Sequence, residues 1–515
     1  MDAHTPKPLP VVNPGGAAGV PEASPAGNAN GAGKAGGASP AAKHRDYTYL
    51  GTTDSLCPQC MQVVRAKIIV RSGRVYFQKR CPRHGPREDF VCSDVRWYDR
   101  LETALPAKLP ERVSVAANKG CPYDCGLCEE HEQHTCIGLV EVTASCNLKC
   151  PMCFASSGPG GEHLSVEQAK AAIDALVAAE GHAEVCQISG GEPTIHPHLL
   201  EIVDYALGQP IDYVMINTNG LRFASDAALV EALAKRRERL EIYFQFDGRD
   251  ASGERALRGE TLAPRKQRAL DRLAEADLNV TLVATLHGPD DHRVYERLIG
   301  EAMRRPNVVG LSLQPATYSG RHVLPSVLEQ RVTFPDVIRG IAAASGGMLA
   351  ENDFTPLPCA HPNCHQIMLA IRSGGGLLPL ARVMDVSRDR DLLANGISFT
   401  RERSKQLIAQ YLGRASGCGS GCGCGEAESG ADAAAVSDAQ RRVAEDFFGR
   451  VIAGQAGARD VFRITITNFL DAYNFDIRRL MKCCTHHVLP SGHLIPFCAY
   501  NTLYRPGHVP LPPAT

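Results

Sequence analysis

Neither sign of charge dominates this chain: 55 basic and 56 acidic residues leave a formal net charge of −1. Such a balance lacks the electrostatic footprint of a nucleic-acid binder. Long hydrophobic runs are missing as well. Nowhere does an uncharged apolar stretch approach the ~20 residues needed to span a bilayer, and the start Met1-Asp2-Ala3-His4-Thr5-Pro6 has no apolar core of a secretory signal. These absences point to the cytoplasm. Residues 1–45 contain few large apolar groups and much Gly, Ala, Pro and Asn, so burial cannot offset the entropy of ordering them, and they read as a disordered tail. Cysteine, by contrast, is plentiful: 20 in 515 residues. In a compartment that keeps thiols reduced this means metal rather than disulfides. With 44% hydrophobic residues the chain has material for a large core and two or more smaller modules.

Cys146, Cys150 and Cys153 have C-x3-C-x2-C spacing, which supplies three thiolates to a four-iron cluster and leaves one iron without a protein ligand. An open iron can act as a Lewis acid toward a chelating molecule as well as carry an electron. Three cysteines alone equally fit a zinc knuckle, so context decides. Residues 138–145 alternate as a β-strand, which puts the cysteines on the loop leaving it. About forty residues on, Glu184 to Ser189 reads as a second strand running into Gly190-Gly191-Glu192-Pro193, a turn whose glycines expose backbone N–H and C=O groups. Together the two motifs resemble the radical S-adenosylmethionine (SAM) superfamily. The resemblance implies that Cys146, Cys150 and Cys153 hold the cluster, and that Gly190, Gly191, Glu192 and Pro193 contact the methionyl amine of SAM. It also implies one-electron cleavage of the sulfonium to a 5′-deoxyadenosyl radical.

Four more strand-like segments follow, Tyr213 to Asn217, Glu241 to Phe246, Val280 to Leu286 and Val308 to Gln314, separated by helical stretches such as Ser225 to Lys235 and Pro264 to Glu275. The expected fold class is α/β: a βα unit repeated about six times, with a parallel sheet curled into a partial (β/α)6 barrel over residues 137–340. Active groups then belong at strand C-termini, where Asn219, Gln245, Asp247, His287 and Gln314 lie. By resemblance, Asn219 is near the ribose and adenine, and Gln245, Asp247 and Gln314 face cofactor or substrate. Loop hydrogen bonding is the alternative for each.

The other cysteines fall in three groups. In residues 46–112, Cys57 and Cys60 precede an expected hairpin over Ile68 to Gln78 with Ser72-Gly73 at its turn, and Cys81 and Cys92 follow. Four thiolates so placed close a tetrahedral site in a small rubredoxin-like or zinc-ribbon-like module, with His84 as a substitute ligand; a zinc staple and a one-iron centre both fit. Residues 113–136 carry a second C-x3-C-x2-C, Cys121, Cys125 and Cys128, with Cys136 as the fourth ligand of a closed cluster and zinc as the alternative. Residues 341–515 form a C-terminal auxiliary-cluster domain, clipped together by Cys359, Cys364, Cys498 and either Cys484 or its neighbour Cys483. Asn468, Asp471 and Asn474 read as caps of a turn. A Gly/Cys-rich insertion near 415–432, with Cys418, Cys422 and Cys424, packs nothing, and Cys186 reads as a buried small hydrophobe.

Taken together, residues 48 to about 510 resemble the tetraether lipid synthase family, once described as 7,8-dihydro-6-hydroxymethylpterin methyltransferase-like. The resemblance rests on the first knuckle, on Cys-Pro-Tyr-Asp-Cys-Gly-Leu-Cys with His131 and His134 behind it, on Pro-Cys-Ala-His-Pro-Asn-Cys and on Pro-Phe-Cys-Ala-Tyr-Asn. It implies a SAM-binding [4Fe-4S] cluster, one or two auxiliary [4Fe-4S] clusters and one mononuclear iron or zinc. It further implies a ferredoxin or flavodoxin as electron donor and C–C coupling of lipid chains at unactivated carbons, with peripheral contact to the inner face of a membrane. The alternative is a radical SAM methyltransferase acting on a pterin or related small molecule. A cluster protein that only carries electrons has no use for Gly190-Gly191-Glu192-Pro193.

Overall fold

The computed structural model describes residues 45–100, 108–288, 292–384, 401–416 and 437–514. The expected tail, up to residue 44, and Cys418, Cys422 and Cys424 lie outside the described residues.

The first module is an antiparallel sheet in sequential order, β1 (Thr48–Leu56), β2 (Val63–Arg71), β3 (Arg74–Cys81) and β4 (Gly85–Cys92). The expected hairpin is β2–β3. Ser72 and Gly73, at φ 49° and 75°, make the two-residue turn with positive φ that suits the right-handed twist of its strands.

The barrel strands are β5 (Ile137–Thr143), β6 (Ala183–Gly190), β7 (Ile211–Thr218), β8 (Leu240–Gln245), β9 (Asn279–Leu286) and β10 (Val308–Pro315). Each pairs in parallel with the next. Helices α1 (Val166–Glu180), α2 (Leu199–Gly208), α3 (Ala227–Ala234), α4 (Ala251–Arg258), α5 (Ala263–Glu275), α6 (His292–Arg304) and α7 (Phe334–Ala344) make the crossovers and the outer layer. In α1, Ala169, Ala172, Ile173 and Leu176 recur at helical spacing and are all buried against Val140, Val142 and Ile188 in one core. Ser165 caps this helix in a reciprocal box with Gln168. Cys186 lies in the same core, where burial pushes its thiol up to about 12.

After the barrel come β11 (Thr355–Pro356), β12 (His365–Ser373), β13 (Gly376–Pro379), β14 (Val461–Thr467), β15 (Thr485–Val488) and β16 (Leu494–Pro496). They form no sheet of their own. β14 joins β10 in parallel and carries β12, while β15 joins β5 in parallel at the opposite edge, so twelve strands make one sheet. Residues from Asp46 onward cluster as one compact unit. Lys79, fully buried, ties the first module to the loop before the last strands: it lies 3.0 Å from Asp89 and donates to the carbonyls of Leu56, Ala472 and Tyr473. In that loop Asp471 and Asn474 cap a turn as expected, through Asp471 N–H to Asn474 Oδ1 at 2.8 Å and Tyr473 N–H to Asp471 Oδ1 at 2.9 Å. Among the described residues no helix is long and apolar enough to cross a membrane.

Candidate active site and metal centres

The loop leaving β5 carries Cys146, Cys150 and Cys153, and the turn leaving β6 is stitched to its base. Gly191 N–H donates to Thr143 O at 2.7 Å and Glu192 N–H to Ser145 O at 2.9 Å. So close an approach leaves no room for side chains: a Cβ on Gly190 or Gly191 would stand 2.2 Å from the carbonyl oxygen of Thr143 or Ser145. On the other side of the loop Arg321 donates to the carbonyls of Cys150, Ser156 and Ser157, and its backbone pairs with that of Cys153. Three separate parts of the chain therefore fix the cysteines.

The three cysteines share a cavity of about 190 Å³ at the C-terminal ends of the barrel strands with Gly190, Gly191, Asn219, Gln245 and Gln314. One part of its wall is a polar network: Gln245 donates to Asn217 Oδ1 at 3.0 Å, Gln314 to Tyr243 Oη at 3.0 Å, and Asn219 to Asn147 Oδ1 at 2.7 Å. Arg258 and Lys266 also reach the wall, and the Arg258 guanidinium opposes the effect of burial, which pushes the Cys150 thiol up. Leu139, Leu148, Phe154, Phe469 and Phe497 add apolar surface, interspersed with Thr317, His365, Thr467 and Thr485.

Four expected site residues lie off this wall. Glu192 is 1% exposed, and its carboxylate accepts from Thr194 N–H and Oγ1, Thr218 Oγ1 at 2.7 Å and Asn219 N–H at 2.7 Å. It joins the β6 and β7 turns from behind, and burial, opposed by these hydrogen bonds, pushes its carboxyl up. Pro193, next to it, is buried in a short helical turn. Asp247 likewise stands behind the wall, bonded to Arg258 at 2.6 Å and to Thr285 N–H at 3.1 Å, with Lys266 at 3.8 Å. Burial pushes its carboxyl up, but the two cations outweigh this and hold it well below the usual carboxylate range. His287 does not line the cavity. Arg258 and Lys266 were missed because they sit on α4 and α5, whose patterns are those of ordinary polar outer helices.

The cysteines of the other groups do not pair as their sequence order suggests. Near β3 and β4, Cys57, Cys60, Cys81 and His84 place their ligand atoms within 4.8 Å of one another. Cys92 is remote from them: it opposes Val75 at the far end of the β3–β4 hairpin, whereas Cys81 opposes Gly85 at the turn. Cys136 leaves Cys121, Cys125 and Cys128 and joins Cys359 and Cys484, again within 4.8 Å. Strand register explains this. β15 pairs with β5 through Thr485 and Ile137, so the residues just before them, Cys484 and Cys136, are brought side by side. Cys364 packs against that group, but its sulfur meets the Arg479 guanidinium at 3.3 Å, and Cys498 Sγ accepts from Leu470 N–H at 3.2 Å. Cys483 Sγ donates to Thr485 O at 3.2 Å, while its neighbour Cys484 is the one that joins Cys136 and Cys359.

Residues 140–302 match the Radical SAM superfamily, and residues 49–93 match the HMPTM N-terminal zinc ribbon domain. The 7,8-dihydro-6-hydroxymethylpterin dimethyltransferase of Methanocaldococcus jannaschii is 30% identical over 482 residues, 88% of this chain and 94% of that protein. The chain belongs to the radical SAM superfamily. Within it, the shared length places it in the family of the M. jannaschii protein. The mycofactocin maturase MftC of Mycobacterium ulcerans is 35% identical over 28% of this chain and 39% of its own. Streptococcus suis SuiB bound to S-adenosylmethionine is 16% identical, with a TM-score of 0.33 over 41% of this chain and 47% of that one.

The donor sets of this radical SAM protein fit the metals its family implies. A metal bound to sulfur at about 2.3 Å and to nitrogen at ~2.0 Å in tetrahedral geometry separates S from S by ~3.8 Å and S from N by ~3.5 Å. Cys60 and Cys81 Sγ are 3.8 Å apart, and His84 Nδ1 is 3.4 Å from Cys57 Sγ and 3.5 Å from Cys81 Sγ. Three thiols and one imidazole, from Cys57, Cys60, Cys81 and His84, are therefore placed where they would hold a single ion. Replacement of His84 by Ala is expected to remove one metal ion per chain in elemental analysis, whereas Cys92→Ser leaves the metal content unchanged.

Proposed function

We propose that this chain is a radical SAM enzyme that joins lipid chains at unactivated carbons. The observation that supports this most is the apolar surface that Leu139, Leu148, Phe154, Phe469 and Phe497 bring to a cavity also lined by Arg258, Lys266, Gln245 and Asn217. When bound at Cys146, Cys150 and Cys153, a four-iron cluster with one iron free of protein ligands supplies one-electron cleavage of SAM to methionine and a 5′-deoxyadenosyl radical. The chain's residues provide everything else. Gly190 and Gly191 let the β6 turn approach the cluster loop, and Glu192 locks that turn to Asn219. Arg258 and Lys266 offer positive charge to the SAM carboxylate beside Cys150. The phenylalanines exclude water from the reacting carbon and accept an alkyl chain.

Coupling of two chains breaks two C–H bonds and forms one C–C bond. Two SAM molecules and two electrons from a ferredoxin- or flavodoxin-type donor yield two methionines, two 5′-deoxyadenosines and a product lighter by two hydrogens. The chain would work in the cytoplasm, in contact with a membrane surface that presents its substrate. Incubation of the reduced, anaerobic enzyme with SAM and a lipid extract, followed by mass spectrometry, tests the reading. A joined lipid lacking two hydrogens supports it; 5′-deoxyadenosine with unchanged lipids contradicts it. The name of the M. jannaschii relative favours a second reading, methylation of a pterin, for which the product gains carbon one unit at a time.

Lys266 Nζ is buried and has no hydrogen-bond partner, and burial holds its ammonium below the usual lysine range. Asp247 keeps Arg258 when Lys266 is lost. Lys266→Met is thus expected to leave the fold intact and weaken SAM binding by about 10- to 100-fold, the size of one charge-assisted contact, as read by anaerobic calorimetry.

A further inference from the structure

Four lysine or arginine side chains are buried among the described residues: Lys79, Lys266, Arg331 and Arg479. Three of them face a carboxylate. Lys79 lies 3.0 Å from Asp89, Lys266 lies 3.8 Å from Asp247, and Arg331 pairs with Asp471. Arg479, on the short helix Ile477–Met481, is 2% exposed and forms no ion pair with a carboxylate among the described residues. Its Nε donates instead to Cys364 Sγ at 3.3 Å, and its Nη2 to the carbonyl of Asn468. Asp476, three residues before it, is committed elsewhere: Arg478 reaches that carboxylate at 2.7 Å through Nη2 and at 3.1 Å through Nε, and Thr53 Oγ1 donates to it at 2.6 Å.

A guanidinium keeps its proton in any folded protein, so Arg479 is a buried positive charge, and such a charge is costly unless an opposite one faces it. A neutral thiol is only a weak acceptor and does not balance it. A metal-bound sulfur does, because the metal ligand is the thiolate. The position of Cys364 agrees with that role. It packs against the buried group that holds Cys136, Cys359 and Cys484, and four cysteine sulfurs are the donor set of a closed [4Fe-4S] cluster. The backbone fixes both partners together: Cys364 N–H donates to His361 O at 2.8 Å, and Cys364 O accepts at 2.8 Å from the N–H of Asn468, the residue whose own carbonyl holds Arg479.

We propose that Arg479 is the counter-ion of a metal-bound Cys364 sulfur in the auxiliary centre that Cys364 shares with Cys136, Cys359 and Cys484, and that it is a positioning residue which sets the reduction potential of that centre. The inference rests on these cysteines as iron–sulfur ligands and not on the choice of substrate. Net charge and hydrogen bonds to the sulfurs tune the potentials of such clusters. One-electron reduction adds one negative charge to the centre, and a cation hydrogen-bonded to a ligand sulfur stabilises that reduced form over the oxidised one. The buried guanidinium therefore raises the potential and suits the centre to accept an electron.

The test uses the full-length Cys150→Ala chain, in which the SAM cluster contributes no signal. It is expressed with ¹⁵N-labelled arginine, purified anaerobically, reconstituted with iron and sulfide and reduced with dithionite. Pulsed electron paramagnetic resonance is expected to show weak coupling of an auxiliary-cluster signal to an arginine nitrogen, and Arg479→Met in the same background is expected to lose it. Potentiometric titration of that signal is expected to shift the equilibrium of Arg479→Met toward the oxidised form by at least ~10-fold, a lowering of ~59 mV for one electron. Arg479→Lys, which keeps the charge, is expected to stay closer to the parent chain than to Arg479→Met. A merely structural arginine would leave the midpoint where it is. Absence of arginine coupling in the parent chain overturns the proposal, and so does an unchanged midpoint in Arg479→Met or an equal lowering in Arg479→Lys. Should Arg479→Met fail to hold its iron, the coupling in the parent chain decides alone. No lipid enters these samples, so failure of the coupling reaction and failure of this assignment are read separately.

Discussion

Cys150→Ala is expected to reduce 5′-deoxyadenosine formation at least ~10³-fold, to background, and to lower the iron content by about four per chain while the ion at the zinc-ribbon site remains. Cys150 is 9% exposed, lies between the Arg258 guanidinium and the loop clamped by Arg321, and is one of three thiolates available for the cluster. Two thiolates cannot hold four irons in place against solvent. The surrounding barrel core is built by residues such as Val140, Ile188 and Ile216 that do not touch the loop's sulfurs, so circular dichroism should be unchanged. Nucleoside formation at the wild-type rate by the variant, measured anaerobically with excess reductant, would refute the assignment.

Gly190→Ala is expected to weaken SAM binding at least ~100-fold and to abolish turnover without unfolding the chain. Two physical terms act together here. Gly190 holds φ 130°, a region that side chains rarely occupy and that costs of order 1–3 kcal/mol. Its Cβ would also stand 2.2 Å from Thr143 O, a backbone atom that cannot rotate away. Thr143 O is already bound by Gly191 N–H, so relief requires the turn to part from the cluster loop. That movement opens the very wall against which SAM must lie. Anaerobic calorimetry with SAM measures it, and a wild-type dissociation constant would show that the contact is not needed.

The parts of this protein that follow local chemical patterns were legible in its sequence. Strand alternation and helix-sized gaps placed β5 to β10 and the Ser72-Gly73 hairpin, and the close approach required of Gly190 and Gly191 explains why glycine occupies both positions. What depended on pairing between distant segments was not legible. Cys136 lies eight residues after Cys128, yet its partner is Cys484, because β15 adds to the barrel edge in register with β5. Nothing in the run Thr485-His486-His487-Val488 announces that neighbour. Cys92 follows the knuckle in the order a four-thiolate site would need, but the length of β3 and β4 carries it ~20 Å or more along the hairpin at about 3.3 Å per residue, and His84 at the turn takes its place. Glu192 and Asp247 carry the charge expected of ligand contacts. In the structure their carboxylates bond Thr194, Thr218 and Asn219, and Arg258 and Thr285, contacts that sequence spacing does not announce.

The most direct test of the central claim follows hydrogen itself. The reduced enzyme is incubated anaerobically with SAM and lipids whose chains are perdeuterated, and the 5′-deoxyadenosine is analysed by mass spectrometry. Hydrogen abstraction from a lipid carbon in this cavity predicts nucleoside heavier by one deuterium, formed together with joined chains. Nucleoside carrying no deuterium from the chains would contradict it.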